Sequence, residues 1–236
     1  MAFPEIAEVQ LKINQELSGK QKTRVLEAGC GSASHINFPS DSYLIGIDLS
    51  EKQLDRNSRL DEKIIGDLQH YNLPHKSFDV IVCWDVLEHL EFPSKALEKF
   101  SLAVKTGGLL VLALPNVLSL KGLITKFTPH WFHIWFYRNY YGSKLAGTGD
   151  IGPFPAFLKF SVSPRRLKSF AKKNNFEIQH FQLLEYSSQK RFRTNFWVVN
   201  FLFYTLGTVI TSLTFGRVSI FNSDCLLLLK KMPNEL

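Results

Sequence analysis

Cysteine is scarce and scattered in this chain: Cys30, Cys83 and Cys225 lie far apart, with no CxxC pair and no Cys/His cluster. That spacing excludes a zinc site and a disulfide framework, and it suits a reducing, cytoplasmic setting. An uninterrupted apolar run is missing from the N-terminal stretch, because Glu5, Glu8 and Lys12 interrupt Met1 to Glu16. An amphipathic helix is expected there, not a secretory leader. Acid is short in the second half: residues 1–116 hold 12 Lys/Arg against 16 Asp/Glu, whereas residues 117–236 hold 16 against 5. The net charge of +7 is therefore a basic second half on an acidic first half. Its plain reading is a solvated surface, and its sharper one a face for phospholipid, nucleic acid or an acidic metabolite.

What is present is a succession of short β-rich runs alternating with helical ones. Thr23 to Ala28, Ser42 to Asp48, Lys63 to Asp67, Phe78 to Cys83 and Gly108 to Leu114 read as strands separated by helices. Ser50 with Gln53, and Asp85 with Glu88, have capping-box spacing, and Pro93 suits a first helical turn. The pattern predicts one α/β domain over 1–236, doubly wound, with ligands outside the carboxyl ends of the strands. Polar residues close each strand in turn: Glu27-Ala28-Gly29-Cys30-Gly31, Asp48, Asp67, and Trp84-Asp85-Val86-Leu87-Glu88-His89. A dinucleotide site begins with a similar turn, but its third glycine is missing here, where Ser34 and its neighbours stand.

This ordered set, Glu27-x-Gly29-x-Gly31, Asp48, Gly66-Asp67, Phe78-Asp79 through Glu88-His89-Leu90 and Gly107-Gly108, resembles the class I S-adenosylmethionine-dependent methyltransferases. The likeness is to their small-molecule group, which includes ubiquinone-pathway enzymes, and covers residues 20–116. It implies a Rossmann-like, seven-stranded sheet with helices on both faces, and S-adenosylmethionine as cofactor. Gly29 and Gly31 would admit the amino-acid portion of the cofactor, with Glu27 turned to the same end and Trp84 closing the neighbouring strand. Asp48 would accept from the ribose hydroxyls, Leu49 would pack on adenine, and Asp67, with Leu68 beside it, would accept from the adenine amino group. His89 is the candidate general base, because it follows the fourth strand and titrates near neutrality. A supporting role beside the cofactor is its other reading. No Asn/Asp-Pro-Pro-Tyr tetrapeptide and no Pro-Cys pair follows the fourth strand, which argues against methylation of nucleic-acid amines or cytosine carbon.

Two insertions follow. Residues 117–160 crowd Phe127, Trp131, Phe132, Trp135, Phe136, Tyr137, Tyr140 and Tyr141 among basic residues, and read either as an acceptor lid or as an aromatic minicore. His130 and His133 lack companion ligands, so no metal is expected. Ser163-Pro164 should open a helix, with a sixth strand over Phe176 to Tyr186 and a seventh over Ser219 to Lys230. Between them, residues 194–216 carry no charge. Val199, Leu202, Phe203, Leu206, Val209, Ile210 and Leu213 recur at helical spacing, with Asn200 and the hydroxyl residues opposite. One full membrane crossing would strand the seventh strand on the wrong side. A helix packed on the domain, a hairpin bent at Gly207, and a segment lying in the membrane interface remain, and the flanking Lys190, Arg191, Arg193 and Arg217 suit anionic headgroups. The reading that results is methyl transfer to a small-molecule or lipid-linked acceptor, through oxygen. RNA methylation by the basic half and a catalytically inactive cofactor-binding interaction protein are the alternatives.

Overall fold

In a computed structural model, which describes residues 6–140, 142–149, 151–185, 190, 194, 197–215 and 221–233, seven strands form one sheet. They are β1 (Arg24–Ala28), β2 (Tyr43–Asp48), β3 (Glu62–Ile65), β4 (Phe78–Trp84), β5 (Val104–Pro115), β6 (Phe176–Leu184) and β7 (Asp224–Lys231). Their order is β3-β2-β1-β4-β5-β7-β6, with β7 antiparallel to both neighbours and the first five strands parallel. The strand order reverses between β1 and β4, which is where a crevice opens in an open α/β sheet. The central strands are near-continuous apolar runs because both of their faces are covered. On one face, helices α3 (Pro93–Ala103) and α6 (Pro164–Lys173) bury Leu97, Phe100, Leu167 and Ala171. On the other, α1 (Ala7–Leu17) buries Val9, Ile13 and Leu17, spaced one helical turn apart, against Val25, Val80 and Val82.

Several elements differ from the sequence expectation. The β1–β2 connection (29–42) and the β3–β4 connection (66–77) contain no helix. In the first, Ser32, Ser34, Asn37 and Pro39 disfavour one, and buried Ile36 pins the loop to the α1 face. Ser50 does cap α2 (Glu51–Arg56), accepting from the Gln53 N–H. Asp85 does not cap anything: it sits at φ +51°, and Val86 precedes a single 3₁₀ turn, Leu87–His89, with no side-chain cap. The third strand ends at Ile65, so Gly66 and Asp67 lie in the following turn. The expected ends of the outer strands, Tyr186 and Ser219, lie outside the described residues.

After β5 come α4 (Leu120–Phe127), capped by Ser119, and α5 (His130–Asn139), which buries none of its residues. Helix α7 (Trp197–Leu213) runs between β6 and β7 and continues through Gly207, which rules out a hairpin bent there. It seats on Phe221 through Gly207, where a Cβ would lie 2.3 Å from the ring, and through Phe203 and Tyr204. Leu202, Leu206, Val209 and Leu213 consequently face outward, with Leu213 74% exposed. Among the described residues no helix is long and apolar enough to cross a membrane.

Candidate active site

The carboxyl ends of β1 and β2 are tied together by backbone bonds that only a glycine-rich turn permits. Gly29 (φ +72°) donates to the Ile47 carbonyl at 2.7 Å, and a Cβ on it would lie 2.3 Å from Val86 of the β4 turn. Gly31 (φ +52°) donates its N–H to Asp48 Oδ2, and the Ser50 N–H takes Oδ1, both at 2.9 Å. The Asp48 carboxylate is thus held by two main-chain donors while each oxygen keeps a lone pair for a ligand. Leu49 beside it is 71% exposed, available to cover a planar ring.

Glu27 is 3% exposed; its Oε2 accepts from the Ser34 hydroxyl, and its Oε1 has no partner. Burial raises its pKa against the opposing pull of that hydroxyl. A buried acceptor without a donor costs free energy, so this oxygen has capacity for a hydrogen-bond donor brought by a ligand. His35 stacks on Trp84, with ring centroids 4.9 Å apart and planes 9° from parallel. Asp67 closes the far side of the crevice next to Gly66, whose N–H bonds the Asp48 carbonyl. Burial alone would raise the Asp67 pKa, but hydrogen bonds from Gln69 and His70 outweigh it and leave the group below its usual value. Leu68 is buried in the core beneath and offers the crevice no side-chain surface.

Beyond β4, Glu88 and His89 meet the irregular returning stretch of the 117–160 segment. The Phe157 and Leu158 N–H groups both donate to the Glu88 carbonyl, at 2.8 and 2.9 Å. His89 Nδ1 lies 2.7 Å from the Pro155 carbonyl, and the Phe154 ring stands edge-on to the imidazole. A carbonyl only accepts, so Nδ1 carries the hydrogen and Nε2 carries the lone pair of the neutral ring. Burial lowers the His89 pKa, with the Pro155 bond acting in opposition. The aromatic residues on α5 stack among themselves, Phe132 on Trp135 and Phe136 on Tyr140, and stay partly exposed. No group of His, Cys, Asp and Glu among the described residues is arranged to hold a metal.

The Methyltransferase domain family matches residues 5–180. The chain belongs to the S-adenosylmethionine-dependent methyltransferase family. It is similar to an uncharacterized protein of Methanocaldococcus jannaschii, 30% identical over 106 residues, which are 45% of this chain and 47% of that one. A ubiquinone biosynthesis O-methyltransferase of Hydrogenovibrio crunogenus is 23% identical over 117 residues, covering 45% and 48%. The alignments span about half the length of these curated relatives. Among solved structures, an S-adenosylmethionine-dependent methyltransferase of Mesorhizobium loti aligns over 94% of this chain and 96% of that one, at 15% identity and a TM-score of 0.53, a likeness of fold.

The residues of this methyltransferase fit the family's cofactor. The crevice offers glycines without a Cβ, a fixed carboxylate at Asp48, and a buried Glu27 oxygen that lacks a donor. Reading the sequence brought Glu27, Gly29, Gly31, Asp48, Asp67 and Trp84 to the same edge, and the structure places them along adjacent strand ends. It missed His35, whose stacking on Trp84 depends on the path of a loop with no periodic signal. It also missed Asp224, the one acidic residue of the final strand, buried at its start and reached by Lys121.

Proposed function

We propose that this methyltransferase moves a methyl group from S-adenosylmethionine to an oxygen of a small-molecule or lipid-linked acceptor drawn from a membrane surface. When bound, the cofactor supplies an electrophilic methyl on a sulfonium. Glu27, Gly29, Gly31, Asp48, Leu49, Asp67 and Trp84 would hold it, with Leu68 supporting Asp67 from below. Fixing donor and acceptor in a site of low water content is the main task of a displacement of this kind. His89 would take the acceptor's hydroxyl proton on Nε2, since its tautomer is set by Pro155 and its lowered pKa keeps the ring neutral at pH 7.

The observation that supports this reading is where the apolar helices stand. Asn116, at the carboxyl end of β5, donates to the carbonyls of Ser223 and Asn222, next to the Phe221 on which α7 sits. The outward leucines of α7 and the aromatic 117–160 segment therefore adjoin the edge that carries the cofactor residues. Exposed apolar surface of this extent marks an interaction site, and a lipid surface suits a basic second half. The flanking Arg191, Arg193 and Arg217 lie outside the described residues.

The test is incubation with labelled methyl donor and separate membrane, RNA and small-molecule fractions. Label in base-stable ether linkage in a lipid extract supports the reading, and label confined to RNA contradicts it. Flotation with vesicles containing anionic phospholipid is expected. Its absence, unchanged on deletion of 194–216, would remove the membrane part.

A further inference from the structure

Helices α3 and α6 cover the same face of the sheet and leave between them an open groove of about 480 Å³, a volume in the range of small-molecule sites. Its lining follows from helical spacing. On α6, Arg166, Ser169, Phe170 and Lys173 stand at i, i+3, i+4 and i+7, so one stripe of the helix faces the groove. On α3, Ser94, Leu97 and Glu98 repeat the start of that pattern. Phe160 and Ser161, from the 3₁₀ turn Phe160–Val162, line the end nearest the start of α6. None of these residues belongs to the crevice at the strand ends.

The floor of the groove is apolar, and its α6 wall is cationic. Leu97 is 3% exposed and the half-buried Phe170 packs on the core, while Phe160 is 48% exposed and carries the Lys126 ammonium 4.7 Å from its ring centroid. Helix α6 has five basic residues and no acid. Lys168 lies over the Phe181 ring, but Arg166 and Lys173 have no hydrogen-bond or ion-pair partner among the described residues. Glu98 on the opposite wall pairs with neither, so the charged walls stand further apart than an ion pair. Asn174 at the far end is already occupied: its carbonyl accepts from Lys231 Nζ at 2.8 Å, and its Oδ1 from the Ser101 hydroxyl. Ser94 stands at the start of a helix with no side-chain N-cap, where main-chain N–H groups are open to an acceptor.

We propose that this groove is a second binding site, one that takes a phosphate monoester on a flat apolar body. A guanidinium and an ammonium on one helix face attract an anion, and the guanidinium fork matches two of its oxygens at once. The hydroxyls of Ser94, Ser161 and Ser169 add donors. A phosphate brings three terminal oxygens to this set, whereas a carboxylate brings two and leaves donors unused. The apolar remainder of the ligand lies against Phe170 and the Phe160 ring, over Leu97. Glu98 sets one negative charge against the anion and limits its affinity.

The probes are 1-naphthyl phosphate, 1-naphthoate and 1-naphthol, titrated calorimetrically into the full chain with S-adenosylhomocysteine in excess to keep them out of the crevice. The shared ring system cancels the apolar contribution. The phosphate is expected to bind about tenfold more tightly than the naphthol, as two solvent-screened ion pairs allow, with the carboxylate between them. Arg166→Gln and Lys173→Gln should each weaken the phosphate about three- to fivefold. Glu98→Gln should tighten it, and Phe160→Ala should weaken all three probes alike. Arg166, Lys173 and Glu98 are exposed, so their variants are expected to fold. Lys172 is exposed on the same helix outside the groove, and Lys172→Gln removes the same charge. Unchanged affinity there supports a local site; a loss equal to that of Arg166→Gln overturns it, because the net charge of +7 would then be all that attracts the anion. Equal binding of phosphate and naphthol, or a preference that survives both Arg166→Gln and Lys173→Gln, also overturns the proposal. Naphthoate that binds as tightly as the phosphate overturns the choice of phosphate. The outcome is independent of the methyl-transfer reading, since the groove and the crevice share no residue.

Discussion

The two halves of the molecule handle polarity in opposite ways. In residues 20–116 the polar side chains at the strand ends are fixed by the main chain: Asp48 by Gly31 and Ser50, Asp67 by Gln69. In the second half, apolar side chains are left facing outward, with Phe127 on α4 73% exposed and Leu206 and Leu213 of α7 uncovered. The first arrangement needs no partner to be rigid and presents lone pairs to one small ligand. The second leaves apolar surface that only a partner can cover. In the proposed reading, the difference separates donor recognition, built into the sheet, from acceptor recognition, built onto its edge.

The comparison breaks most visibly at Asp48. Under the proposed assignment, Asp48→Ala removes the acceptor of the ribose hydroxyls, each such bond being worth about 1.5–3 kcal/mol, so donor affinity measured by calorimetry should fall on the order of a hundredfold or more. Asp48 also anchors the turn, and thermal unfolding separates lost affinity from lost fold. A similar loss, in turnover and not in donor affinity, is expected of His89→Gln, on the order of 10²-fold in kcat. With His89 as the proposed base, the neutral imidazole is the working form and its pKa lies below the usual 6.5, so activity should be flat above that value and fall beneath it. Fold stability has the same sign, since protonating a group whose folded pKa is depressed favours the unfolded chain as pH drops. An acid limb unchanged in His89→Gln would assign it to Asp85 instead, whose pKa is pushed up to about 6 by burial and then by the like charge of Asp224.

A smaller effect tests the second half. Leu206→Lys places a charge on the outward face of α7 and should weaken vesicle flotation by about tenfold, the equivalent of losing one buried leucine, without altering donor affinity. Equal flotation would show that α7 does not touch lipid. The smallest effect concerns Cys30, whose thiol is pushed up to about 12 by burial and then by Asp48 and Glu27. Alkylation by iodoacetamide at pH 7.5 should be slow, and rapid reaction would mean that the crevice is more open than described.

Much of the parallel half of the sheet, and of the crevice at its strand ends, was legible because its signals are local. Apolar runs ending in Gly29, Asp48 and Trp84 mark parallel strands and their mouths, and the Ser50–Gln53 spacing does cap a helix. The same spacing misled at Asp85 and Glu88: a residue count does not reveal that Asp85 adopts a left-handed conformation and that the turn is 3₁₀. On α7 the periodicity separates two faces without saying which turns inward. Gly207 against Phe221 decides that, a contact between residues fourteen apart whose partner has no periodic neighbours. Asp224 stayed hidden because an acid at the start of a strand gains its surroundings only when antiparallel pairing sets it opposite Pro115 and within reach of Lys121.

The most direct test of the central claim is calorimetric titration of S-adenosylmethionine into the full chain at pH 7.5, in parallel with Asp48→Ala. The account predicts one donor bound per chain and a loss of that binding in the variant, with both proteins folded. Folded wild-type protein that takes up no S-adenosylmethionine would contradict it.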